Sequence, residues 1–313
     1  MPETTEINTY FALAIDYVNT TNEHLYLTGK AGTGKTTFLK YIKEHCHKKL
    51  AIAAPTGVAA MNAGGVTLHS LFQLPLGSFI PEADSSGNES SDFFDRKSLL
   101  KHLRLNKAKR ELLQELELLI IDEVSMLRSD LLDAIDTILK SVRRKARLPF
   151  GGVQLLFIGD LFQLPPVIRN SEWHVLRKYY TSPSFFSAKV LIDFPPIYLE
   201  LKNIYRQSDE NFIRVLNNIR HDEMTAADLD LLNAYYQPDF KPEKEGEYII
   251  LTTHNNKADI INRDQLAKLS GTAHSFKATV TGDFNEKNVT AETELKLKEG
   301  AQVMFIRNDK GEK

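Results

Sequence analysis

Residues 24–36, "HLYLTGKAGTGKT", run from an unbroken apolar stretch through a glycine-dense turn into residues with helical spacing. No other feature of the chain restricts its fold as much. An apolar run this continuous suits a strand buried on both faces. The segment from Gly29 to Thr36 has Gly, four residues, then Gly-Lys-Thr, the spacing of a phosphate-binding loop. Glycines let the backbone bend and come close to a ligand, and the free N–H groups that open the next helix present positive charge to an anion. A strand feeding a helix in this way calls for an α/β fold with a parallel sheet covered by helices.

Four more apolar runs repeat the pattern: "KLAIAAP" (49–55), "LELLIIDE" (116–123), "VQLLFIGD" (153–160) and "PPIYLEL" (195–201). With 313 residues, two domains are expected. The boundary is placed at 193/194, with a small insertion at about 73–105 whose Ser- and Asp-rich part (81–98) reads as mobile and precedes a basic helical stretch up to Arg110. The second domain is expected to hold helices near 209–220, 225–236 and 256–269, a strand "EYIILTT" (247–253), and an all-β element from about Phe276. There is no internal repeat. A net charge of -2 neither requires nor excludes a polyanionic partner. A lone cysteine, Cys46, rules out an internal disulfide framework, and no apolar run reaches the length of a membrane span. A cytoplasmic location is expected.

The loop predicts its own chemistry. Gly29, Ala31, Gly32, Thr33, Gly34, Lys35, Thr36 and Thr37 would surround the phosphates of a nucleotide. Lys35 would reach the β- and γ-phosphates, and Thr36 would take a place on Mg²⁺. At the end of the third run, Asp122 would hold Mg²⁺, and Glu123 would orient and deprotonate an attacking water. In "FIGDLFQLPPV" (157–167), Gln163 is placed to meet a γ-phosphate or that water. These features fit a kinase, a transporter ATPase, a ring ATPase or a translocase.

"LTGKAGTGKTTF", "APTGVAAMNAGGVTLHS", "LIIDEVSML", "FGGVQLLFIGDLFQLPPV" and "IYRQSDENFIRVLNNIR" follow one another as in the Pif (petite integration frequency) family of superfamily 1B DNA helicases, and the chain resembles that family from about Leu25 to Ile306. RecD and the phage Dda helicase resemble it more distantly. The resemblance implies an ATP- and Mg²⁺-dependent motor that moves 5′-to-3′ on single-stranded DNA and acts on tailed or forked duplexes. It implies two RecA-like domains with ATP between them, and a monomer working at the bacterial nucleoid. Arg206 of "YRQ" resembles the family's arginine for the γ-phosphate, which would stabilise charge in the transition state. "APTG" and "TLHS" resemble DNA-contacting motifs, so Pro55, Thr56, Gly57, Thr67 and His69 would hold the strand, joined by Thr253 from the second domain. Contacts from backbone and hydroxyl groups grip any sequence equally.

Three departures stand beside the resemblance. Family members usually carry an N-terminal Gln that reads adenine; here "EINTYFALAIDYVNTTNEH" has none, and Asn8 and Tyr10 are the nearest candidates. His254 stands where the family often has Arg. The last residues, "KEGAQVMFIRNDKGEK", look like the first strand of an SH3-like domain, Ala301 to Ile306, so a truncated second domain with reduced activity is expected. Phe72 and Phe79 read as core or hinge packing, with base stacking or a strand-separating wedge as the alternative. Two other functions are open: a DNA-dependent ATPase that remodels protein–DNA complexes without unwinding, and a nucleotide-gated DNA-binding module.

Overall fold

The structure is a computed structural model and describes residues 9–81, 93–202, 209–240, 248–279 and 292–303. It divides into two compact units, 1–223 and 224–313. The first unit begins with helix α1 (Thr9–Thr20), strand β1 (Leu25–Gly29), α2 (Lys35–His45), β2 (Leu50–Ala54), α3 (Gly57–Ala63), β3 (Val66–Thr67) and α4 (Leu68–Phe72). It continues with β4 (Ser78–Ile80), β5 (Phe93–Asp95), α5 (Arg96–His102), α6 (Lys107–Glu115), β6 (Leu118–Ile121), α7 (Ser129–Arg143) and β7 (Gln154–Ile158). It closes with α8 (Asn170–Leu176), α9 (Lys189–Asp193), β8 (Ile197–Leu201) and α10 (Glu210–His221).

Six strands form one sheet in the order β3-β2-β6-β7-β1-β8, with every pairing parallel. Alternate residues of each strand enter different cores, as a period of two requires. Leu25, Leu27, Leu118, Ile120, Leu156 and Ile158 pack with Ala14 and Val18 of α1 and Phe38, Leu39 and Ile42 of α2. Tyr26, Leu119, Ile121, Leu155 and Phe157 pack on the other face with Leu132, Ile135, Ile138 and Leu139 of α7. Phe72 and Phe79 are fully buried in that second core, which confirms the packing expectation.

Helix α7 also carries three buried carboxylates, and each serves a different neighbour. Asp130 accepts from the Phe79 N–H at 2.9 Å and pairs with Arg128 at 2.9 Å. Asp133 accepts from the N–H groups of Lys189 and Val190, which open α9. Asp136 accepts from the Phe150 N–H at 2.7 Å and pairs with Lys140. Buried carboxylates are tolerated because each is fully engaged.

Within the insertion expected at about 73–105, β4 and β5 pair in parallel and α5 follows, so residues 93–98 of the stretch read as mobile are strand and helix; residues 82–92 lie outside the described residues. The boundary expected at 193/194 is corrected: β8 pairs with β1 along its whole length, and α10 lies in the same unit, so the first unit runs to Glu223. The "PPIYLEL" run is apolar because it closes the first sheet.

The second unit contains α11 (Ala226–Asn233), α12 (Asn255–Lys268) and an antiparallel pair, β9 (His274–Lys277) with β10 (Glu294–Leu297). All three helices predicted after residue 208 form. The strand expected at 247–253 does not: residues 248–253 are irregular, and Leu251 is 90% exposed. An apolar run becomes a buried strand only where neighbours pair with it, and among the described residues of this unit β9 and β10 pair only with each other. Of the closing strand expected at 301–306, residues 301–303 are irregular and the rest lie outside the described residues. No described helix is long and apolar enough to cross a membrane.

Candidate nucleotide-binding site

Because all six strands run parallel, their C-terminal ends share one edge of the sheet, where loops can converge on a ligand. Gly29 ends β1 with φ +152°; a Cβ there would lie 2.5 Å from Thr33 Oγ1 and 2.6 Å from the Leu201 carbonyl oxygen. Only glycine lets β1, β8 and the loop come this close. Gly32 and Gly34 also have positive φ, at 80° and 95°. The Thr33 hydroxyl donates to the Lys30 carbonyl at 2.9 Å, and the Phe38 N–H donates to the Gly34 carbonyl at 2.8 Å, which starts α2. Ala31, Thr36 and Thr37 are exposed.

The Lys35 ammonium folds back over the loop and donates to the Gly29 carbonyl at 2.6 Å and the Lys30 carbonyl at 3.0 Å. Burial lowers its pKa, and the carboxylates of Asp160, Glu123 and Asp122 act in the opposite direction, with Arg220 adding to the lowering. One ammonium therefore feels three acidic groups from two neighbouring strand ends.

β6 delivers Asp122 and Glu123. The Asp122 N–H donates to the Ala53 carbonyl at 2.9 Å, which extends the β2–β6 pairing by one residue. Glu123 then adopts a left-handed conformation, φ 52° and ψ 44°, a cost of about 1–3 kcal/mol for a residue with a Cβ. Burial pushes the Asp122 carboxyl up to about 6, and the nearby Glu123 carboxylate adds to the rise; the Glu123 N–H and Lys35 only partly oppose it. Thr36 and Asp122 are a hydroxyl and a carboxylate. Among the described residues no group of three or more His, Cys, Asp or Glu could enclose a metal. That donor set suits Mg²⁺, which keeps water and phosphate oxygens as its remaining ligands.

At the end of β7 the structure shows two residues that the sequence reading did not assign. Asp160 is 3% exposed and takes Arg220 of α10 as its ion-pair partner. The Gln163 amide Nε2 donates to the same Asp160 oxygen, Oδ2, at 3.2 Å, and the Phe162 N–H donates to the other, Oδ1, at 3.1 Å. The Arg220 guanidinium also stacks over the Phe162 ring, 4.4 Å from its centre. Asp160 occupies the same kind of strand end as Asp122 and was legible by that rule. Arg220 had no local signal.

The candidate DNA residues of the first unit lie at the same sheet edge. Thr56 caps α3, its hydroxyl accepting from the Ala59 N–H at 3.2 Å, and Thr67 caps α4, accepting from the Ser70 N–H at 3.1 Å. Each hydroxyl keeps its own proton for a phosphate oxygen. Pro55 and Gly57 flank Thr56 and are half-buried. His69 has its pKa lowered by burial and by Arg128, with Asp130 partly opposing, which favours the neutral ring. Thr253 belongs to the second unit, is exposed, and shares a hydrogen bond of 2.8 Å with His254 Nδ1. Tyr10 lies under the Lys202 ammonium, 5.5 Å from the ring centre, while Asn8, Arg206 and Gln207 lie outside the described residues.

A parallel sheet with a phosphate loop, an acidic pair and a glutamine at three strand ends defines a P-loop nucleotide-binding fold. A profile of the PIF1-like helicase family matches residues 4–228, and the chain belongs to that family. The ATP-dependent DNA helicase Pif1 of a Psychrobacter species is 33% identical over 95% of this chain, and human PIF1 is 31% identical over 91%. A crystal structure of Bacteroides Pif1 bound to single-stranded DNA superposes with TM-score 0.80 at 38% identity, covering 94% of this chain and 64% of that one. A second, Pif1 helicase from Bacteroides in complex with ADP-AlF3 and single-stranded DNA, gives TM-score 0.79 at 37% identity, with the same coverage. The chain spans 44% of the length of the Psychrobacter protein and 41% of the human one.

Proposed function

We propose that this chain is the ATP-hydrolysing core of a DNA helicase that moves 5′-to-3′ on single-stranded DNA and opens tailed or forked duplexes. The observation that carries this reading is the convergence of Asp122, Glu123 and Asp160 on Lys35 at one sheet edge, each in electrostatic reach of its ammonium. The names and bound ligands of the relatives support the choice of ATP and of DNA. In this reading the protein works in a bacterial cytoplasm, at the nucleoid, a reading supported by the bacterial relative of the same family.

The roles follow from chemistry. The glycine loop and the N–H groups that open α2 cradle the phosphates, and Lys35 leaves the Gly29 and Lys30 carbonyls for phosphate oxygens. Thr36 and Asp122 hold Mg²⁺, which supplies charge neutralisation of the phosphates when bound. The ionised Asp122 carboxylate is the form that would hold Mg²⁺. Glu123 orients a water and takes its proton as the water oxygen attacks the γ-phosphorus. Gln163 contacts the γ-phosphate or the water, and Arg206 neutralises the developing charge. Pro55, Thr56, Gly57, Thr67, His69 and Thr253 hold the strand by its backbone.

Glu123→Gln is expected to keep ATP binding and lower hydrolysis about 10²–10⁴-fold. Strand displacement with 5′- and 3′-tailed duplexes reads the polarity. Hydrolysis that survives in Glu123→Gln, or displacement only from 3′ tails, would sink the corresponding part of the proposal.

A further inference from the structure

Asp160 faces Lys35, but its ion pair with Arg220 takes no part in the chemical steps just described, and it lies beside Gln163, which does. Asp160 Oδ2 receives two donors, a guanidinium N–H of Arg220 and the Gln163 amide. The side chains of Asp160 and Arg220 are 3% and 12% exposed, so water does little to screen the pair. The guanidinium is held a second time, by its stack on Phe162, the residue directly before Gln163. Arg220 thus grips the turn 160–163 at its first residue, Asp160, and its third, Phe162, and the turn is closed by a Gln163 N–H donation to the Asp160 carbonyl at 2.9 Å.

We infer that Arg220 is a positioning residue that frees Gln163 to leave Asp160 for the γ-phosphate. The inference rests on the nucleotide-site reading above. In the described state one N–H of the exposed Gln163 amide is given to Asp160, which holds the amide against that carboxylate. For Gln163 to turn toward a γ-phosphate, that hydrogen bond must break. A buried carboxylate that loses a donor pays the cost of desolvation without compensation. Arg220 stays on Oδ2 when Gln163 departs, so the carboxylate is never left unpaired. A phosphate oxygen, more highly charged than a shared carboxylate, then takes the amide. Without Arg220, Gln163 becomes the main side-chain donor to Asp160 and stays bound to it. Arg220 acts on the turn through Asp160 and Phe162 and need not touch the nucleotide.

This assigns a signature that a merely structural ion pair lacks. Arg220→Gln is expected to bind ADP as the wild type does and to lose about tenfold of its preference for a triphosphate. Neutralising the partner as well, in Asp160→Asn/Arg220→Gln, removes the charge that holds Gln163 and is expected to recover most of that preference.

The test uses the whole chain with Mg²⁺ present. Competition of ADP and a slowly hydrolysed ATP analogue against a fluorescent nucleotide gives the triphosphate-to-diphosphate affinity ratio for wild type, Arg220→Gln, Arg220→Lys, the double variant, Gln163→Ala and Arg220→Gln/Gln163→Ala. Thermal melting runs in parallel. The proposal predicts a lowered ratio in Arg220→Gln and Gln163→Ala, no further loss when the two are combined, and recovery in the double variant. Arg220→Lys, which keeps the charge and loses the planar stack, falls between. A folded Arg220→Gln protein with a wild-type ratio overturns the inference, as does a double variant no better than Arg220→Gln. If Arg220→Gln melts too early to assay, Arg220→Lys and the double variant decide it by the same ratios. A wild-type chain that binds neither nucleotide overturns the site reading itself, and the inference with it.

Discussion

The two ends of the six-stranded sheet are built from the same strands and treat polar groups in opposite ways. At the N-terminal end, Lys48 donates to the Thr21 carbonyl at 2.5 Å and to Gln154 Oε1 at 2.7 Å. The Gln154 amide donates to the carbonyls of Tyr17 at 3.3 Å and Glu23 at 2.8 Å, and the Leu155 N–H donates to His24 Nδ1 at 3.1 Å. Each of these groups serves to close the fold. At the C-terminal end, a carboxyl is driven up to about 6, Glu123 sits in a strained conformation, and the Lys35 ammonium rests on loop carbonyls. Free energy is stored at one end of the sheet and spent on cohesion at the other, as expected where only one end meets a ligand.

The sharpest way to break this contrast is to mutate both ends and read two properties. Lys35→Ala is expected to weaken nucleotide affinity by about 10²-fold, the value of charge-assisted bonds to phosphate, and to leave the melting temperature nearly unchanged. Lys48→Met should do the reverse. It leaves the Thr21 carbonyl and Gln154 Oε1 without their donor, costs about 1–3 kcal/mol of stability, and leaves nucleotide affinity intact. Calorimetric binding and melting of both proteins check the pair. A Lys35→Ala protein that melts much earlier, or a Lys48→Met protein that loses nucleotide, would end the contrast.

A smaller effect concerns pH, where the two ends differ in sign. Burial holds His24 down at about 4, against 6.5 when unfolded, so the unfolded chain binds the proton first and stability is lost as pH falls from 6.5 towards 4. Asp122 is raised from 3.8 to about 6, so in the nucleotide-free protein the folded state holds the proton longer, and stability is lost as pH rises from 3.8 to about 6. Each group is worth about 3 kcal/mol across its window. Between pH 4 and 6 they oppose one another. Asp122→Asn is expected to leave a melting temperature that climbs with pH in that interval, and to raise it by a few degrees at pH 7.5. His24→Gln is expected to leave one that falls. Melting curves at half-unit steps without nucleotide or Mg²⁺ check both slopes; parallel slopes in the two variants would show that these groups do not govern the profile.

Much of the first unit was legible because its signals are local. The five apolar runs became β1, β2, β6, β7 and β8, and the glycine spacing put Lys35 at the start of a helix. Asp122 and Glu123 followed from their place at a strand end. The run 247–253 shows the limit of the same rule. Its apolar residues match those of β6 in character, yet without paired neighbours Ile249 and Leu251 are 77% and 90% exposed. Pattern states what a segment can bury, and partners decide whether it does. The boundary at 193/194 failed for a related reason, since an edge strand has no mark showing which sheet it joins.

The sequence by itself determined the phosphate loop, the parallel α/β class and the acidic strand end, because backbone freedom, periodicity and charge at a strand terminus are set by residues close together in the chain. Tertiary structure alone decided that α10 returns to the first sheet and that Arg220 meets Asp160 and Phe162. That pairing spans 60 residues of sequence. Coulomb attraction and ring stacking act over a few ångströms of space and leave no periodic trace along the chain.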